Sequence, residues 1–176
     1  SVFLTISLML GFSSPATLTM TNTAQGSRQF RVKTNDGSEI IYTLRGLTDL
    51  EVKAWSAFCA SVFSYKANPP PADYFERHYM NDPEREASFI RVAFCGDQMA
   101  ATCRVFRRQV SLGSGEYAEA GGIGEVCTDK SHRKRGLSAQ LLKDAKQIIS
   151  ESGMELSFLH SAADFFPVYE KAGYKC

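Results

Sequence analysis

The stretch from Gly121 to Gly136, GGIGEVCTDKSHRKRG, and the run behind it constrain this chain more than any other segment. Leu137, Leu141, Leu142, Ala145, Ile148 and Ile149 recur at three- and four-residue intervals. Lys143, Asp144, Lys146 and Gln147 fall on the other side, so the spacing predicts an amphipathic helix with one buried face. Gly153 stands where such a helix stops. Upstream, residues 118–128 read as a strand, which gives a strand, a basic loop and a helix in succession. A helix start leaves backbone N–H groups unpaired beside the positive end of the helix dipole. Lys130, His132, Arg133, Lys134 and Arg135 add side-chain charge at that point, and Gly136 leaves room for close approach. The pattern suits an anion cradle. Spacing alone also allows a solvated basic loop or a patch that touches nucleic acid.

The remaining elements follow from period and punctuation. Asp36-Gly37 is a turn before a short strand over 39–44. Thr48-Asp49-Leu50-Glu51 has capping-box form and opens a helix with Leu50, Ala54, Trp55, Phe58, Val62 and Phe63 on its core side. A sharper reading lines an acceptor pocket with Tyr65, Tyr74 and Phe75. Pro69, Pro70 and Pro71 break the chain before a second helix over 72–80. Strands are expected over 88–95 and 98–110, with Gly96-Asp97 turning between them. Arg104, Arg107 and Arg108 near the far end of the second could bind an acidic group, but the favoured reading is a solvated rim. Gly113-Ser114-Gly115 turns the chain into residues 118–128. A last strand over 155–160 and a helix over 162–172, interrupted at Pro167, complete the order β, α, α, β, β, β, α, β, α. The fold class is α+β in a single domain.

Composition narrows the function. A chain of 176 residues with 20 Lys+Arg against 19 Asp+Glu, net +1, offers no global attraction to nucleic acid or to a membrane. Five cysteines without C-x-x-C spacing read as reduced thiols, and no metal site is expected. Residues 2–12 are apolar but too short to span a membrane, and no basic segment precedes them as in a secretory signal. Residues 1–26 are therefore read as a leader or disordered segment, with Met20 a plausible start, and 27–176 as the folded domain. The expected location is cytoplasmic.

Two motifs carry a family resemblance. Val126-Cys127-Thr128 followed by the loop and Arg133-Lys134-Arg135-Gly136-Leu137-Ser138 resembles motif A of the GNAT superfamily of N-acetyltransferases, in which Gln/Arg-x-x-Gly-x-Gly/Ala opens a helix. Tyr169-Glu170-Lys171-Ala172-Gly173-Tyr174 resembles the Tyr-x-x-x-Gly-Phe/Tyr signature of the same superfamily, and it lies one helix and one strand downstream. The resemblance implies a mixed, mostly antiparallel sheet flanked by helices. It also implies two further strands after Tyr174-Lys175-Cys176, where a strand is expected to begin.

The implied cofactor is acetyl-CoA, and the implied partner an amine acceptor. The pyrophosphate would rest on backbone N–H groups of Arg133, Lys134, Arg135, Gly136, Leu137 and Ser138. The pantetheine arm would pair with the edge of Val126, Cys127 and Thr128. Tyr169 matches the tyrosine that protonates the departing thiolate. The positions that carry a base in some members are Gly122 and Gly124, and strict alternation turns the neighbouring Glu125 to the opposite face. Three alternatives stay open: a bulge that brings Glu125 inward, water, or a residue outside this chain. A glycine-rich strand here gives some likeness to Eis-like members. Two other readings remain beside N-acetyl transfer: a non-catalytic acetyl-CoA-binding regulatory module, and thioester chemistry through Cys127 with His160.

Overall fold

The computed structural model describes residues 26–64 and 68–175. The expected leader up to residue 25, Met20, Tyr65 and Cys176 lie outside the described residues. Six strands form one sheet in chain order: β1 (Arg28–Lys33), β2 (Glu39–Gly46), β3 (Ile90–Cys95), β4 (Gln98–Gly113), β5 (Glu116–Thr128) and β6 (Leu156–Leu159). Every neighbouring pair is antiparallel except β5 and β6, which run parallel. That pair needs a crossover, and α3 (Leu137–Glu151) supplies it. Among the described residues no helix is long and apolar enough to cross a membrane.

Helices cover both faces. Leu137, Leu141, Leu142, Ala145 and Ile149 of α3 pack with Tyr42, Leu44, Ala93, Ala101, Cys103 and Val105. On the other face Trp55 and Cys59 of α1 (Val52–Phe63) and Phe75 and Tyr79 of α2 (Tyr74–Met80) pack with Ile90, Val92 and Phe94. Strand β3 is buried on both sides as a result, with alternate residues going to the two clusters. Trp55 is fully buried, and its indole N–H donates to the Thr102 hydroxyl at 3.0 Å. The final helix, α4 (Phe166–Lys171), is tied to α3 by Lys146 Nζ, which donates to the Ala172 carbonyl at 2.6 Å.

Three details differ from the sequence reading. First, β1 is an edge strand that propensity did not single out, because only Phe30 and Val32 alternate with its polar residues. Arg28 fixes it to α3 through Asp144 (Nε–Oδ1 2.8 Å) and Gln140. Second, Asp144 belongs to the buried side of α3 rather than its polar side, since Arg28 and the buried Arg91 approach it there. Third, Leu50 is 96 % exposed. The capping-box Glu51 does accept from the Thr48 N–H at 2.9 Å and hydroxyl at 2.7 Å, but the turn it closes is a 3-10 turn, and α1 starts at Val52. The buried stripe is therefore Val52, Trp55 and Cys59.

The glycines of β5 are explained by packing. A Cβ on Gly121 would lie 2.4 Å from Ile149 Cγ1, and one on Gly124 would lie 2.8 Å from the Phe106 ring. Helix α3 can lie directly on β5 because Gly121 has no side chain. Gly121→Val is expected to lower stability by about 1–3 kcal/mol through overpacking. Leu50→Ser should change it by no more than about 0.5 kcal/mol. Urea midpoints of the two variants check the contrast.

Candidate functional site

The site begins with one extra residue on β5. Thr102 opposes Cys127 and Arg104 opposes Gly124, so Cys103 alone faces both Glu125 and Val126. This is a β-bulge, and Glu125 sits in it at φ 52. The bulge suspends alternation, so Glu125 joins the face of Gly124 while Val126 turns to the α3-side core. The Glu125 carboxylate shows the outcome: Oε1 accepts from His78 Nδ1 at 2.8 Å, and Oε2 from Arg104 Nη1 at 3.4 Å. Of the alternatives left open by sequence, the inward bulge is the geometry found. A non-glycine residue at positive φ costs on the order of 1–3 kcal/mol, and these two contacts hold it there.

The same region is where β5 and β6 part. Their ladder runs from Ala120–Leu156 to Ile123–Leu159 and ends, whereas β5 continues to Thr128 and stays paired with β4. Val126, Cys127 and Thr128 thus have an edge that β6 does not occupy. The side chain of Cys127 packs with Val52, Trp55 and Cys59 on the α1 face, and burial pushes the Cys59 thiol up.

Beyond the strand the basic loop is held from within. The Asp129 carboxylate accepts from the Ser131 N–H at 2.8 Å, closing a single turn over Lys130–His132. Arg135 Nη1 donates to the buried Tyr42 hydroxyl at 2.7 Å, and His132 Nδ1 lies 2.9 Å from the same oxygen. Arg133 Nε donates to the Thr128 carbonyl at 3.2 Å, and the Thr128 and Ser138 hydroxyls are 3.2 Å apart. The guanidinium groups of Arg133 and Arg135 are therefore engaged by the strands the loop rests on, which leaves the backbone to present N–H groups. Lys134 (φ 61) and Gly136 (φ 76) are both left-handed, a geometry that turns successive N–H groups to one side. The first helical bond of α3 runs from Gln140 N–H to the Gly136 carbonyl at 3.2 Å, so the N–H groups before it lack helical partners. Leu137 contributes only backbone, because its side chain is buried in the core. A Cβ on Gly136 would meet nothing nearer than Phe30 at 3.9 Å, so its φ is what disfavours other residues there.

A cavity of about 610 Å³ lies on the α2 side of the bulge. Phe63, Pro69, Pro70, Pro71, Tyr74 and Phe75 form its wall, and Phe106, Ile123 and Gly124 its floor. Among the described residues its titratable groups are Glu125, His78, His160 and Tyr74. Tyr74 and Phe75, two of the residues that the sharper sequence reading grouped around a pocket, both line this cavity. Cys127 is not in the lining although His160 is, so the structure does not bring that pair together at the cavity.

Behind the cavity is a buried ion network that sequence misassigned. Arg104 is 1 % exposed, not part of a solvated rim. Its Nη2 donates to Asp82 Oδ2 at 2.8 Å, and Arg108 holds both Asp82 oxygens at 3.0 Å. Burial pushes the Asp82 carboxyl up, but bonds from Arg108 and the Glu84 N–H, with the two guanidinium charges, outweigh it and bring it below the usual range. Arg104 also stacks over Phe106 at 4.2 Å. Arg at an alternate position of a strand, with an Asp beyond α2, was the available signal, but nothing in it specifies burial.

Tyr169 stands elsewhere. It lies on α4, half-buried against the α3-side core and edge-on to Tyr174 at 6.3 Å. Burial pushes its hydroxyl up to about 12, with a smaller contribution from Cys103 and an opposing hydrogen bond with Ser161. It is not in the cavity lining, so Glu125 and Tyr169 serve different sides of the strand that parts from β6.

Residues 43–176 match the model of a family described as an acetyltransferase (GNAT) domain. No curated protein matches the chain. Among solved structures, it is similar to glucosamine-6-phosphate N-acetyltransferase from Arabidopsis thaliana at 18% identity, covering 77% of this chain and 92% of that one with a TM-score of 0.57. It is also similar to an acetyltransferase from Trypanosoma brucei at 20% identity, 77% and 93% coverage and a TM-score of 0.57. A predicted acetyltransferase with acetyl-CoA from Clostridium acetobutylicum gives 15% identity, 77% and 90% coverage and a TM-score of 0.64. At these identities the likeness shows the fold, a curled mixed sheet with helices on both faces.

The ion network generates a stability prediction. Asp82→Asn leaves Arg104 buried with one partner fewer, and the expected loss is about 3–5 kcal/mol. Denaturant unfolding of the variant measures it.

Proposed function

Because the chain belongs to the GNAT acetyltransferase family, whose cofactor is acetyl-CoA, we propose that it moves an acetyl group directly to a primary amine of a small molecule or a protein. The observation that carries this reading is the bulge: it sets a carboxylate beside the part of β5 that extends past its last pair with β6, directly ahead of the loop and α3 start. The residues present fit the cofactor. Left-handed Lys134 and Gly136 with the unpaired N–H groups of the α3 start suit a pyrophosphate, so Arg133, Lys134, Arg135, Gly136, Leu137 and Ser138 would hold it through backbone. The edge at Val126, Cys127 and Thr128, beyond the last pair with β6, suits the amide-bearing arm.

When bound, acetyl-CoA supplies an acetyl thioester. The acceptor nitrogen must be neutral to form a C–N bond at the acetyl carbonyl carbon while the C–S bond breaks. Glu125 supplies the negative charge toward which the acceptor's proton leaves. Tyr169 Oη gives a proton to the departing sulfur. Its raised pKa, about 12, keeps the phenol protonated throughout the neutral and mildly alkaline range. Among the described residues that line the cavity none is Lys or Arg, and aromatic and proline side chains dominate. That lining favours an amine on an apolar carrier over a phosphorylated sugar of the kind named for the Arabidopsis neighbour.

Calorimetric titration with acetyl-CoA and an amine screen test the proposal together. Gly136→Glu should abolish binding, since it adds charge and a side chain at a left-handed position of the cradle. Tyr169→Phe should bind acetyl-CoA unchanged and lose about a hundredfold or more in kcat. Binding without transfer to any amine would show a regulatory module instead.

A further inference from the structure

We infer that His78 takes the proton from the acceptor amine and that Glu125 is the residue that positions it. The inference rests on the acetyl-transfer reading above and answers a question that reading leaves open, namely which atom receives the proton. The His78 Nδ1 to Glu125 Oε1 distance is 2.8 Å. A carboxylate accepts, so Nδ1 carries the hydrogen, and the lone pair of a neutral ring is on Nε2. Among the described residues no hydrogen bond engages Nε2.

Exposure separates the two groups. The Glu125 side chain is 7 % exposed, and both its oxygens already accept bonds, from His78 and Arg104. The His78 side chain is 47 % exposed and lines the cavity. Both residues line the cavity, but the imidazole offers far more surface, so an incoming ammonium group meets it first. The ring is also held in place, tilted against Phe106 at 5.5 Å and Tyr74 at 5.9 Å. A base needs this combination of a fixed ring, a defined tautomer and an available nitrogen.

The dyad joins two parts of the fold. Glu125 comes from the strand that leads into the cradle, and His78 from the helix on the acceptor side. The bulge is what lets them meet. Other charged or titratable groups around the pair are Arg104 and Arg108 from β4, Asp82 and Tyr79 behind it, Tyr74 on α2, and His160 after β6.

The proton count closes. An ammonium acceptor gives one proton to Nε2, and the imidazolium, facing Glu125, passes it to solvent. The freed lone pair forms the C–N bond as the C–S bond breaks. The second proton leaves as the amide forms and replaces, through solvent, the one that Tyr169 gives to sulfur. One proton is released per turnover.

The test compares wild type, His78→Ala, His78→Gln and Glu125→Gln, each first checked for acetyl-CoA binding by calorimetry. Both His78 variants should bind acetyl-CoA as wild type does and lose about a hundredfold or more in kcat. The acidic limb of their pH–rate profile should vanish, and added imidazole should restore His78→Ala about tenfold or more, a response that a merely structural role would not give. Glu125→Gln should be slowed yet keep an acidic limb. In the unliganded wild type, nitrogen-15 spectra of the imidazoles should show the neutral His78 ring protonated on Nδ1. The proposal is overturned if Glu125→Gln erases the limb while His78→Ala retains it, or if the neutral ring carries its proton on Nε2. Failure of the wild type to acetylate any amine, despite binding acetyl-CoA, is a separate result: it removes the transfer reading and this proposal with it.

Discussion

The site depends on a mismatch of one residue between β4 and β5. Cys103 cannot pair with both Glu125 and Val126, so the strand must buckle, and the buckle has three consequences at once. It turns Glu125 onto the α2 face, it sends Val126 into the core under α3, and it coincides with the end of the β6 ladder. A regular strand would have left two glycines facing the cavity and the carboxylate buried on the wrong side.

Such a bulge needs support, because a glutamate at positive φ is strained. Support comes from Arg104, which is buried between Glu125 and Asp82 and lies over the Phe106 ring. Phe106 in turn needs Gly124 to have no side chain. The aromatic floor of the cavity, the glycines of β5 and the ion network are thus one packing solution. Removing a partner from it would expose the others to an unpaired buried charge, which is why the network is costly to break even if its net contribution to stability is small.

The loop that follows the bulge, between β5 and α3, uses a comparable device. Tyr42, buried on β2, reaches His132 and Arg135 and anchors the loop to the sheet. Arg135 is engaged in this way and Arg133 by the Thr128 carbonyl, while left-handed Lys134 and Gly136 shape the backbone of the loop. The capping-box Glu51 illustrates the same economy in a purely structural setting: Arg45, helped by Thr48, holds its carboxyl at about 2.

Much of this was legible in the residues. The period of Leu137, Leu141, Leu142, Ala145 and Ile149 specifies a helix with one buried face, and Gly136 and Gly153 mark its ends, because local backbone and side-chain periodicity are properties of neighbouring residues. The order of strands and helices from β2 onward followed for the same reason, whereas β1 did not, because only Phe30 and Val32 alternate there. Tertiary structure decided the rest. Asp144 and Arg104 look like surface charges until Arg28, Arg91 and Asp82 are brought to them from distant segments. Leu50 looks like core until the turn before α1 faces it outward. Above all, the direction of Glu125 is fixed by pairing with β4 and by a histidine 47 residues away in sequence. Periodicity assumes an unbroken ladder, and a bulge is set by the partner strand, so no reading of β5 alone could have aimed that carboxylate.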